Sequence, residues 1–269
     1  MAARAHDVGR RQGIREHHPV FVVPPAWPPS YVARVARVEP GECGTMRSAW
    51  LHATRVAGFI ATLWIWQQVQ RAEIPLLAAH AVIIGSIVLV FPVSWLGRKA
   101  IDGRATLQRV AWTTSLVHMA LMIFFGAAFI AAIKLFHDRP GPTIPIPTSV
   151  GLAFLSVTGV CLTLTVVNLA LGGLGAPFAI APSRRVATSW MYRWTRNPMV
   201  LCTLLTLLSA GVYLRSLGFL LWVILLVTPA FVYYLKVFEE RELEIRLGQS
   251  YVDYRATTAF LWPRRPRSR

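Results

Sequence analysis

Residues 198–240 read PMVLCTLLTLLSAGVYLRSLGFLLWVILLVTPAFVYYLKVFEE. Two apolar runs, 198–213 and 217–238, are parted by little more than Leu214-Arg215-Ser216, and the second ends at Glu239-Glu240. At about 1.5 Å per residue the first run reaches only about 24 Å, short of a hydrocarbon core of about 30 Å. The pattern predicts a tight helical hairpin whose short arm is tilted, shielded or not fully crossing.

Working outward, four further apolar stretches precede the hairpin, at about 49–68, 76–97, 110–135 and 149–171. Each is long enough to cross a bilayer as a helix, and so dense a helical pattern leaves no room for strands. The expected fold is an all-α integral membrane protein of about six transmembrane helices. Composition agrees. The chain is 55% hydrophobic and 15% charged, with mean hydropathy +0.48, whereas a soluble domain carries about 25% charged residues. A soluble enzyme, a disordered basic protein and a nucleic-acid binder are all excluded, although the net charge is +16. Cys43, Cys161 and Cys202 are odd in number and share no metal-ligand or CxxC spacing, so no metal site is expected and the thiols read as packing residues.

Residues 1–46 are rich in Arg, Pro and His, and their longest apolar run is broken by Pro24 and Pro25. They read as a disordered cytoplasmic tail. Residues 47–171 then form a four-helix transmembrane region, and 265–269 a short basic tail able to lie on anionic lipid. With six crossings, 24 of the 28 Lys and Arg residues fall on one side and four (Arg71, Lys134, Arg139, Arg215) on the other. Because Lys and Arg in short loops favour the cytoplasm, both termini are expected there, in a multi-pass protein of the bacterial inner membrane.

The chemistry is expected where the few acidic residues gather. Glu239 and Glu240 stand at the cytoplasmic end of the last span, where carboxylates oppose the helix dipole and border hydrocarbon. Something cationic must compensate, and Arg193, Arg196 and Arg241 are the salt-bridge candidates. Before the hairpin stand Gly173-Leu174-Gly175, then Tyr192-Arg193-Trp194-Thr195-Arg196-Asn197-Pro198-Met199. After it, Glu239-Glu240 leads into Leu243, Gly248, Tyr251 and Tyr254, closing at Trp262-Pro263-Arg264.

In order and combination, residues 172–264 resemble the isoprenylcysteine carboxyl methyltransferase and phospholipid N-methyltransferase superfamily of integral membrane enzymes. Its members share a GxG element, a Tyr-x-x-x-Arg-(His/Asn)-Pro element before a hairpin, and a Glu-Glu element. The resemblance implies a methyltransferase core over 172–264 that binds S-adenosylmethionine at the cytoplasmic face and methylates a lipophilic or membrane-partitioned acceptor. A prenylated carboxylate, a phospholipid amine, a thiol and a small isoprenoid all remain open as that acceptor. By the same resemblance, Glu239 and Glu240 meet the ammonium or ribose hydroxyls and suit the sulfonium, and Arg196 pairs with the carboxylate. Gly173 and Gly175 admit the adenosine, Tyr192, Trp194 and Tyr251 wall the pocket, and Asn197 and Pro198 open the hairpin beside it. Arg196 and Glu240 are the residues expected nearest the chemistry. Two sites depart from the pattern, Val200 where relatives carry Tyr and Trp190-Met191 where they carry Gly-Pro; Asn197 fits it but lacks the titratable group of a His.

Two other classes fit parts of the pattern. A sterol-reductase-like enzyme shares a similar hairpin and would use NADPH, whose phosphates Glu239-Glu240 would repel. A non-enzymatic transporter or scaffold would favour charges at the midplane, whereas these gather at one face. His80 and His118 lie inside the second and third spans, where an ionisable side chain is a functional candidate and a neutral His bonded to a neighbouring helix is the plainer expectation.

Overall fold

A computed structural model describes residues 43–103, 106–173 and 185–265. Residues 1–42, Gly175 and the last four basic-tail residues lie outside the described range. Six long helices follow one another: α1 (Cys43–Arg71), α2 (Leu76–Gly103), α3 (Leu107–Asp138), α4 (Thr148–Gly173), α5 (Pro198–Tyr213) and α6 (Leu217–Leu247). A 3₁₀ turn, Trp190–Arg193, precedes α5, and a short helix, α7 (Gln249–Thr257), follows α6. No strand occurs among the described residues; an isolated bridge pairs Thr143 with Ser216.

Four helices, α2, α3, α4 and α6, are long and apolar enough to cross a membrane. Their outward faces carry large apolar side chains, with Leu77, Val157, Leu171 and Leu225 each more than 60% exposed. In water such surface would be costly; in lipid it is the expected exterior. The helix α1 covers the expected first span but is less apolar, and Arg55 is buried within it, donating from Nε to Ser115 Oγ at 2.8 Å. At 16 residues α5 has the expected short length.

Helix pairing builds the site. The helices α1 and α2 pack on α3, α6 lies along α2, and α4 packs along α5. Close approach of α4 and α5 depends on Gly151, where an added Cβ would stand 2.4 Å from the Tyr213 backbone. The α5–α6 turn is tight: Arg215 adopts φ 54°, Ser216 Oγ accepts from Phe219 N at 3.2 Å, and Ser216 and Leu217 donate to Pro140 and Pro142. The two arms touch chiefly near that turn and then take different partners, so the expected hairpin is closed at its tip and splayed at its base. The physical reason lies in α6, which is interrupted by two wide π-type stretches, Val223–Val227 and Leu235–Glu239, with Pro229 just after the first. Such insertions and a proline that cannot donate to the preceding turn are where helices change direction. The helix also runs past the expected end of the span at 238, to Leu247, where Gly248 stops it at φ 61°, ψ −139°, a conformation essentially restricted to glycine.

Candidate functional site

The gap between the splayed arms is a cavity of about 460 Å³, within the size range of small-molecule sites. Along α3 its wall is a single strip, Thr114, His118, Leu121, Phe125 and Phe129, spaced by three and four residues so that all face one way. From Thr114 to Phe129 the strip covers about 22 Å of helix. At one end the lining is polar, with Arg196, Asn197, Glu239, Glu242, Arg246 and Tyr251. At the other it is apolar, with Trp66, Phe129, Leu162 and Val166. Gly126 makes that end possible: its missing Cβ is the space the Trp66 ring occupies, and Trp66 Nε1 donates to Met122 O at 3.1 Å. Trp66 thus serves the interior.

Local chain structure explains how the sequence-expected residues reach this place. The segment before α5 is pinned to the chain's C-terminal segment: Arg196 N donates to Ala259 O, Arg264 N to Trp194 O, and both Thr195 Oγ1 and Asn197 Nδ2 to Phe260 O. Tyr254 Oη donates to Tyr192 O at 2.6 Å, tying α7 to the 3₁₀ turn. Pro198 occupies the first turn of α5, where its missing N–H costs nothing. Tyr192 and Tyr251 are buried and line the cavity. Burial pushes the phenols of Tyr192, Tyr251 and Tyr254 above their ordinary value; for Tyr192 and Tyr251 the nearby Glu239 adds to the effect, and for Tyr251 Glu240 as well.

The glutamate pair divides its work. Neighbouring helical residues point about 100° apart, so the two cannot face the same way. Glu239 borders the cavity. Glu240 is turned to Arg196, with Oε1 2.7 Å from Nη2 and the exposed Lys236 3.6 Å from Oε2. Arg196 Nη1 donates to the carbonyls of Arg255 and Thr258, at 2.7 and 2.8 Å, satisfying the C-terminal end of α7. A guanidinium expected to clamp a ligand carboxylate is therefore largely committed within the protein. Its Nε is buried without a partner among the described residues, and the side chain still borders the cavity.

Gly173 is the last residue of α4 and is buried, outside the cavity wall. The adjacent carbonyls of Leu171 and Gly172 accept from Arg185, which lies on the cavity. Trp194 is 43% exposed and not part of the lining.

The sequence reading missed one group. Glu242 is 2% exposed, pairs with Arg246 at 2.7 Å, accepts from Thr114 at 3.2 Å and borders the cavity. Its i,i+4 spacing to Arg246 was the available signal. His118, expected to bond a neighbouring helix, does so: its Nε2 lies 2.8 Å from Tyr234 Oη on α6. By contrast His80 is exposed and bonded only to its own helix, at Leu76 O.

No family model, curated protein or solved structure matches this chain. The geometry alone then frames what the site can do: the cavity has room for a molecule with a charged head and an apolar body, and it offers carboxylate, guanidinium and phenol groups at one end. Cys161 and Cys202 are free thiols outside the cavity wall.

Proposed function

We propose that this protein is an S-adenosylmethionine-dependent methyltransferase acting on a lipophilic acceptor at the membrane. Its six long helices cross the bilayer, α5 incompletely, with both termini and the polar cavity end on the cytoplasmic side of the bacterial inner membrane. The observation that carries the reading is one continuous cavity, polar at the end built from the Tyr192–Pro198 and Glu239–Tyr251 elements and apolar at the other. A polar cofactor and an apolar acceptor need that division. Two further observations support it. Among the described residues α4 packs on α5 with no extended contact to α3, an arrangement that suits entry of a lipid-dissolved molecule on that side. The polar end also sets Glu239 toward the cavity, a carboxylate suited to an ammonium or a sulfonium.

The division of roles follows from placement. Glu239 and Tyr251 contact the cofactor head, while Arg196 and Glu240 hold α7 and the pre-α5 segment in position around it. Methyl transfer is an in-line displacement in which charge is dispersed, so fixed geometry and exclusion of water supply much of the rate.

The test is thermal stabilisation of detergent-purified protein by S-adenosylhomocysteine, with NADPH as the contrasting ligand. At a hundredfold excess over Kd a ligand adds about 2.7 kcal/mol. The wild type is expected to respond to S-adenosylhomocysteine and not to NADPH, and Glu239→Gln to lose the response. Glu240→Gln is expected to unfold at lower temperature yet keep its ligand shift. A wild type stabilised by NADPH alone, or by neither ligand, overturns the reading.

A further inference from the structure

One set of cavity-lining groups joins the motif residue Glu239 to two side chains outside the motif elements and spans two helices. His118 Nδ1 lies 2.8 Å from the Thr114 carbonyl, which only accepts, so Nδ1 carries a hydrogen. Its Nε2 lies 2.8 Å from Tyr234 Oη, and the Glu239 carboxyl stands beside the same hydroxyl. All three side chains border the cavity. Tyr234 and Glu239 are five positions apart, which on a regular α-helix separates them by about 140°. They meet because the intervening Leu235–Glu239 stretch is π-type, with Glu240 N donating to Leu235 O. That widened turn, a feature concentrated at functional sites, brings the carboxyl over the phenol.

Counting hydrogens gives the chain a direction. With His118 neutral and Glu239 ionised, Tyr234 has one hydrogen for two acceptors, so one of its two bonds is unmade. Uptake of a single proton completes both. The proton sits either on Glu239, with Tyr234 donating to His118, or on His118 Nε2, with Tyr234 donating to Glu239, and a shift along the two bonds interconverts these forms. Arg55 on α1, Glu240, Glu242 and Arg246 on α6, Tyr192 and Tyr251 surround the set and act on it electrostatically.

Resting on the methyl-transfer reading, we propose that His118, Tyr234 and Glu239 form a proton-accepting relay, and that the acceptor is a lipophilic amine, alcohol or thiol in place of a carboxylate. In the step, the heteroatom lone pair of the acceptor attacks the methyl carbon of the sulfonium. The carbon–sulfur bond breaks with its electron pair going to sulfur, and S-adenosylhomocysteine leaves. The heteroatom's hydrogen passes as a proton to Glu239 and through Tyr234 to His118, returning Glu239 to its ionised form. A carboxylate acceptor has no hydrogen to lose and needs no such chain.

The test uses full-length purified protein, methyl-labelled S-adenosylmethionine and four probes of equal chain length: dodecylamine, dodecanol, dodecanethiol and dodecanoate. Wild type is expected to label at least one of the first three, with a rate that rises with pH to a plateau. Tyr234→Phe, which removes one oxygen, and His118→Gln are expected to lose on the order of 10²-fold or more in kcat, to lose the pH dependence, and to keep the wild-type response to S-adenosylhomocysteine. If that response is absent in wild type, the methyl-transfer reading fails and takes the relay with it. If it is present but wild type labels only dodecanoate or nothing, or if Tyr234→Phe keeps the rate and pH profile, the chain is only a bridge between α3 and α6 and the relay is overturned.

Discussion

Replacing Arg196 by Met tests whether this guanidinium holds the site together. Its side chain is 8% exposed and that of Glu240 12%, so the variant strands a carboxylate in a nearly closed setting with only the exposed Lys236 nearby. It also removes the donors to two carbonyls at the end of α7. Breaking a buried pair from one side costs about 3–5 kcal/mol. For a chain of this size that corresponds to a fall in unfolding temperature of roughly 6–20 °C. The cost arises from the stranded charge more than from the lost attraction, so Arg196→Met combined with Glu240→Met is expected to recover part of it. Arg196→Lys, which keeps a charge but lacks the fork, should fall between. Scanning fluorimetry in detergent, with proteolysis of the 249–265 segment as a second readout, measures all three. An Arg196→Met shift under about 2 °C, or a double variant less stable than either single one, would refute the structural role given to this residue.

Three other outcomes are expected. Gly151→Val places side-chain atoms against the Tyr213 backbone, which cannot move aside; it should cost about 1–3 kcal/mol, and a variant as stable as wild type would show that α4 and α5 are not so close. Lys134 donates to the carbonyls of Val69, Gln70 and Ala72 and so finishes α1; Lys134→Met should speed amide exchange in residues 66–71 while leaving α4 unchanged. Tyr192, Tyr251 and Tyr254 ionise in the folded protein only above the ordinary phenol value. The unfolded chain therefore releases those protons first, so stability holds below about pH 10 and falls as pH rises beyond it. An alkaline titration in which all seven tyrosines ionise together before unfolding would contradict that.

The helices were legible because uninterrupted apolar runs of this length have one stable backbone arrangement in lipid. The short arm 198–213 was read to both ends, since Pro198 marks its first turn and the Leu214–Ser216 turn its last. What composition hides is register and partner. The wide turn Leu235–Glu239 changes which residues share a face without changing any residue type, so the meeting of Tyr234 with Glu239 had no signature. Likewise, His118 and Tyr234 are 116 positions apart, and nothing in either helix names the other. The Glu239-Glu240 pair was read as a unit, yet adjacent helical positions diverge; of the expected cations, Arg196 pairs with Glu240, whereas Arg241 pairs with Asp102 and Glu244. Arg196 borders the cavity, but its bonds to the carbonyls of Arg255 and Thr258 required knowing where α7 ends.

The most direct measurement is transfer of a labelled methyl group from S-adenosylmethionine to organic-soluble material. Membranes containing the wild-type chain or Glu239→Gln, supplied with a bacterial lipid extract, are compared with membranes lacking the protein. The proposed reading, with cofactor at the polar end of the cavity and acceptor along its apolar end, predicts a labelled lipophilic product from wild type alone. Equal label in the wild-type and protein-free membranes would contradict it.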